Sequence, residues 1–173
     1  MPRHLSKAII IMAETLDVTS MLPNKFEPKR KNRWVLMVEG IDAYIVKTAA
    51  RPTVTTEALE IPFINARRYV AGLTKFGTMA VTLHDPIAPS GAQQIMEWVR
   101  LHYESVSGRS GYADFYKRDL QLKLLDPVGT VVELWDCKGA MITEVNFGEL
   151  TYEDGTPTEI SLTLQCDNYV LQF

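Results

Sequence analysis

"IPFINARRYVAGLTKFGTMAVTLHDP", residues 61–86, is the segment on which the fold turns. An apolar pair meets Pro62, then Asn65, Arg67, Arg68 and Tyr69, then Gly72, then an alternation ending at Asp85-Pro86. Met79, Val81 and Leu83 alternate with Thr78, Ala80 and Thr82, the pattern of a strand with one buried face and one small polar face. Just upstream, residues 54–63 form another extended run, rich in Thr and carrying Glu57 and Glu60. The two runs predict a long, basic strand pair, with Gly72 at a close turn. The segment has no catalytic pattern, which leaves open what so long and basic a strand pair is for.

Working outward, Trp34, Leu36 and Val38 alternate with Arg33, Val35 and Met37, Gly40 interrupts, and Ile41, Ala43 and Ile45 resume the alternation. This predicts a hairpin or bulged strand pair over 33–47. Pro86 and Pro89 end the next strand, and Ser90 opens a helix running to about Ser105. Ser90 and Gln93 have capping-box spacing. Ala92, Ile95, Trp98, Val99 and His102 form one apolar stripe, suited to plugging an open end or face of a sheet. After a glycine-rich loop at 107–119 the strands return. Leu120, Leu122 and Leu124 mark one, residues 126–129 a turn, residues 131–137 its partner, and Lys138-Gly139 a second turn. Met141, Thr143, Val145 and Phe147 mark the next strand, and residues 151–157 a loop. Ile160, Leu162, Leu164 and Cys166 then alternate with Ser161, Thr163 and Gln165, before an apolar run at 169–173. Short strands at this spacing around one helix predict a mainly β fold, a barrel or sandwich.

A chain of 173 residues fits one domain, read as an arm at 1–32 and a body at 33–173. It can bury roughly 70% of its unfolded surface. A net charge of −3 argues against a dedicated nucleic-acid binder while allowing DNA to pass unheld. The apolar run at 8–13 is too short to cross a bilayer, and cytoplasmic synthesis with no membrane partner is expected. Lys29, Arg30, Lys31 and Arg33 form a basic cluster, read as a solvated linker beside a neighbour's acidic surface. Cys137 and Cys166 match no C-x-x-C or zinc spacing and read as reduced thiols in strands, with a disulfide left open.

The three histidines are His4, His84 and His102. His102 falls on the helix stripe and reads as a core or interface residue. His84 and Asp85 would point to opposite faces of a strand and so not pair. No phosphate loop, dinucleotide fingerprint, nucleophile elbow or metalloprotease motif occurs. An enzyme is not expected, nor a cofactor or metal. A small-ligand barrel would need a few convergent polar groups at its mouth, and none is evident. The polar strand faces are more telling. Thr78, Ala80 and Thr82, and Ser161, Thr163 and Gln165, are small and uncharged, as suits a hydrated wall that should not hold what slides past it.

"IPFINARRYVAG", then "MAVTLHDP", then "QQIMEWVRLHY" resembles, in order and spacing, the tail tube proteins of contractile-tailed phages. The matching residues are Ile61-Pro62, Asn65, Arg67, Arg68, Val70-Ala71-Gly72, Val81, Asp85, Met96 and Trp98, and the likeness covers roughly 32–173. The Met-to-Trp spacing is one residue shorter than the family's helix pattern, and the arm is long for the family. The resemblance implies a β-barrel or sandwich with a flanking helix and an extended hairpin. It implies hexameric rings stacked into a hollow tube within a contractile sheath, in a phage tail assembled in the host cytoplasm. The implied partners are further copies of the chain, the sheath, baseplate and tail terminator proteins, and the tape measure protein and genomic DNA in the lumen without specific binding. Lys29, Arg30, Lys31, Arg67, Arg68, Tyr69 and Gly72 become candidates for inter-subunit contact, and Thr78, Thr82, Ser161, Thr163 and Gln165 for the lumen. The tube of a type VI secretion or extracellular contractile injection system is the alternative.

Overall fold

Alternating apolar residues become strands wherever a second layer exists to cover them, and most of this chain follows that rule. The computed structural model describes residues 26–173. Its strands are β1 (Trp34–Val38), β2 (Val46–Ala49), β3 (Val54–Phe63), β4 (Ala66–Phe76), β5 (Met79–His84), β6 (Arg118–Leu125), β7 (Val131–Asn146), β8 (Glu159–Gln165) and β9 (Asn168–Leu171). The helices are α1 (Gly91–His102) and the single turn α2 (Ala113–Tyr116).

Two antiparallel sheets share β7. Its first half pairs with β6 on one side and β9 on the other, and β1 adds beyond β6. Its second half, residues 141–146, pairs with β8, followed by β5 and β2. Gly139, at φ +64°, lies where the strand passes from one sheet to the other. A positive-φ residue at such a bend re-aims the chain, as bulges do at the corners of sandwiches. The result is sandwich-like and open, not a closed barrel. Leu36, Val81, Leu83, Leu122, Ile160 and Leu164 fill its interior.

Helix α1 closes one end of this core. Ser90 Oγ accepts from the Gln93 amide at 3.4 Å, and Asp85 Oδ1 accepts from the Ala92 amide at 3.1 Å, so two side chains cap its start. Ile95 and Trp98 are buried, Trp98 with 1% exposure. The indole Nε1 donates to Tyr116 O at 2.6 Å, and the Arg118 guanidinium sits 4.6 Å over the ring. Arg118 is held there by donating to Glu39 O at 2.6 Å.

Strands β3 and β4 form a separate two-stranded sheet that leaves the body. Its root is clamped: Tyr169 Oη donates to Gly77 O at 2.8 Å, and Gln165 Nε2 donates to Phe76 O at 3.2 Å.

The structure departs from the sequence reading at five points. The pair expected at 33–47 is not a hairpin, because β1 joins β6 and β2 joins β5, with a short 3-10 turn at Ala43–Ile45 between them. The long hairpin spans 54–76. Val70-Ala71-Gly72 is not its turn: Gly72 lies inside β4, while the turn is Ile64-Asn65, with Ile64 at φ +50°. Lys138-Gly139 does not end a strand, because only β7's partners change there. Helix α1 stops at His102, short of Ser105. His102 is exposed, which rules out the core half of its core-or-interface reading, and its ring is edge-on to Tyr116 at 5.0 Å. Residues 1–25 of the expected arm, including His4 and the apolar run, lie outside the described residues, and 26–32 contain no helix or strand.

Candidate assembly interfaces

Three surfaces stand out, beginning with the outer face of the sheet β7-β8-β5-β2. Cross-strand partners share a face, so the register decides what gathers there. Ala80 lies opposite Thr163, Thr82 opposite Ser161, and Thr48 opposite Thr82. Glu144 and Asn146 extend the row beside Thr163 and Ser161. The other parity, Val81 with Leu162 and Leu83 with Ile160, is core. The fold therefore brings Thr82, Ser161 and Thr163 together on one small, polar face. Thr78 sits just before β5, in the link from the hairpin, and Gln165 is engaged with Phe76 O and Cys166 O. Both ends of this sheet, β2 and residues 141–146, lack a strand on their outer side among the described residues.

The hairpin is the second surface. Glu60 lies opposite Tyr69 and Pro62 opposite Arg67 on one face, while Leu59 opposite Val70, Ile61 opposite Arg68, and Phe63 opposite Ala66 share the other. The first face is charged and satisfied within the hairpin, with Arg67 3.1 Å from Glu60. The second is apolar, and Leu59, Ile61, Phe63 and Val70 on it are exposed. Arg68 stands on this apolar face and makes no ion pair among the described residues. Gly72 and Leu73 oppose the single Glu57, which defines a bulge in β4. A Cβ at Gly72 would lie 3.1 Å from Glu57 O, so glycine serves a close backbone approach here, not a positive φ.

The third surface is a groove of about 640 Å³ between residues 29–31 and β2. Lys29, Arg30, Lys31, Lys47 and Arg51 line it, around Trp34 and Leu124. Lys29 is bound within the chain, donating to Glu133. Glu133 is 5% exposed, accepts from Trp135 Nε1 at 2.6 Å and lies 3.9 Å from Arg51. Burial pushes its carboxyl up, but the hydrogen bonds from Lys29 and Trp135 and the Arg51 charge outweigh it, so it titrates below the usual range. Glu133 shares the strand parity of Trp135 and Cys137, and a lone acid in phase with those residues was the available sequence signal.

The two cysteines, unremarkable in sequence, are both free and buried, Cys137 just before the point where β7 changes sheets. The neighbouring Cys166 and burial raise the Cys137 thiol above its usual range.

No protein-family model matches the sequence, and no curated protein is significantly similar to it. Solved structures do match the fold. A chain of the tube-terminating cap of the anti-feeding prophage superposes with a TM-score of 0.71 at 14% identity, covering 91% of this chain and 99% of that one. A chain of the sheath–tube complex of the PVC extracellular contractile injection system, in its extended state, gives 0.68 at 12% identity, covering 91% and 99%. The SPP1 tail tube gives 0.55 at 14%, covering 83% and 78%. At such identities the likeness is one of fold, and by it this chain has the tail-tube fold.

Proposed function

We propose that the chain is the structural subunit of a tube. Copies join edge to edge into hexameric rings, and the rings stack around a channel. The observation that carries this reading is the sheet β7-β8-β5-β2, which among the described residues ends on an open strand at each side and presents Thr48, Ala80, Thr82, Ser161 and Thr163 outward. An open edge invites pairing with another chain. Two different edges, β2 and the second half of β7, make a heterologous contact, which closes into a ring when the rotation per copy divides a full turn. In that ring the small polar face becomes the channel wall, with Glu144 adding negative charge that would not retain DNA.

The hairpin supports stacking. A two-stranded ribbon is marginal alone in water, and one with an exposed apolar face marks a protein contact. Leu59, Ile61, Phe63 and Val70, with Arg68 among them, would meet a neighbouring ring, while Arg67 and Tyr69 would stabilise the ribbon from its other side. Within a phage tail the tube would conduct the genome and carry a contractile sheath, baseplate and terminator as partners. The alternative is the tube of an injection apparatus, a reading supported by the higher fold similarity to chains of contractile injection particles.

Sedimentation velocity across a concentration series, with negative-stain microscopy, tests the reading. Rings or hollow tubes of uniform diameter are expected. A monomer at every concentration, also when mixed with preformed tube ends, would contradict it.

A further inference from the structure

The loop after β7 is turned to solvent. Residues 146–157 are exposed throughout, and the loop presents Leu150 and Tyr152 to solvent beside Glu149, Glu153 and Asp154. None of these three carboxylates makes an ion pair among the described residues. The loop is nonetheless shaped. Gly148 turns at φ +78° with its amide donating to Asn146 Oδ1 at 2.9 Å, and Asp154 Oδ1 accepts from the Thr156 amide at 3.0 Å.

The groove beside β2 has the opposite character. Five cations line it, and among the described residues only Glu133, Glu159 and Glu27 lie against them as carboxylate partners. A surplus of two positive charges remains, in a chain whose net charge is −3. Lys31 has no carboxylate partner among the described residues. Trp34, Ala49 and Leu124 give the groove an apolar lining.

Topology relates the two. The acidic loop leaves from the end of one free edge of the sheet, and Lys47, Thr48 and Ala49 of the groove belong to the other free edge. We propose that the loop at 147–157 of one copy seats in the basic groove of the next, sealing the edge-to-edge joint. Tyr152 and Leu150 lie against Trp34 and Leu124, and Glu153 and Asp154 face Arg30 and Lys31. This rests on the ring reading above, because the edges bring loop and groove together only when copies are joined side by side. The occupant is a second copy of this chain: the loop supplies the missing negative charge and an aromatic side chain for the apolar lining. Opposite charge at such a joint speeds association and fixes which edge meets which.

A charge exchange in the full chain tests it. Glu153→Lys with Asp154→Lys should raise the protein concentration at which rings form by about tenfold or more, as should Arg30→Glu with Lys31→Glu. Combining the four changes should restore assembly to near the wild-type concentration. Tyr152→Ala should weaken assembly at high salt as well as low, whereas the charge variants should differ from wild type most at low salt. All these side chains are exposed, so melting temperatures should stay unchanged, and a variant that melts early is set aside for Tyr152→Ala as the readout. Rings forming at the wild-type concentration in both charge variants and in Tyr152→Ala would overturn the docking while leaving the ring reading intact. A wild-type chain that never forms rings would overturn the ring reading itself.

Discussion

Strands β4 and β5 are consecutive and joined by only Gly77-Thr78, yet they belong to different sheets and their surroundings are opposite. Every second residue of β5 is buried, and no residue of β4 is. Both carry alternating apolar side chains. The difference is the layer opposite: β5 has the other sheet and α1 to cover it, and β4 has only β3. The body is therefore held by burial of its own surface, at roughly 25 cal/mol per Å² of apolar area. The hairpin is held by its ladder, its cross-strand pairs and the clamp at its root, and leaves its apolar face for another molecule.

The largest effect should come from the plug of the body. Trp98→Ala removes the buried indole, its hydrogen bond and the seat of Arg118, and should lower unfolding free energy by about 3–5 kcal/mol in denaturant titration. A loss below about 1 kcal/mol would mean that the body does not depend on α1. Next is the bend between the sheets. Gly139→Val forces a β-branched residue to positive φ, and its side chain would collide with the Asp167 carboxylate. A cost of about 1–3 kcal/mol should follow, and full stability would show that β7 need not change sheets there.

A smaller effect should be visible in pH. Glu133 titrates below the usual carboxylate range when folded, so its contribution is present above the unfolded pKa of about 4.3 and lost as pH falls through the folded value. The melting temperature of wild type should exceed that of Glu133→Gln at neutral pH, and the gap should close under acid. A constant gap would mean that the tie between Lys29 and the body is not ionic. Smallest for the body, and largest for assembly, are changes on the hairpin's apolar face. Ile61→Lys with Val70→Lys should alter body stability by no more than about 0.5 kcal/mol while abolishing stacked assemblies in sedimentation. Arg67→Glu, which disrupts only an exposed ion pair within the ribbon, should matter less.

Much of this was legible in the sequence, and for a local reason. The parity of Met79/Val81/Leu83, Leu120/Leu122/Leu124 and Ile160/Leu162/Leu164 depends only on the two-residue strand repeat, and the structure buries all nine. The capped start of α1 and the small polar face of β5 and β8 were likewise readable. What failed depends on partners far along the chain. Gly72 looks like a turn because glycine serves turns and bulges alike, and only the register with Glu57 separates them. Gly139 looks like a chain reversal because a positive-φ glycine also bends a continuous strand. The charge of the hairpin is legible locally, but only the register shows that Arg67 lies beside Glu60 while Arg68 shares the apolar face with Ile61. The groove joins residues 29–31 to β2 and β6, a proximity that no local pattern encodes.

Hydrogen exchange of assembled particles against dispersed chains tests the central claim most directly. Joining β2 to the second half of β7 should slow exchange of amides at 46–49 and 141–146 on assembly, while buried β5 and β8 change little. Assembly that leaves both edges exchanging as fast as in the dispersed chain would contradict the account.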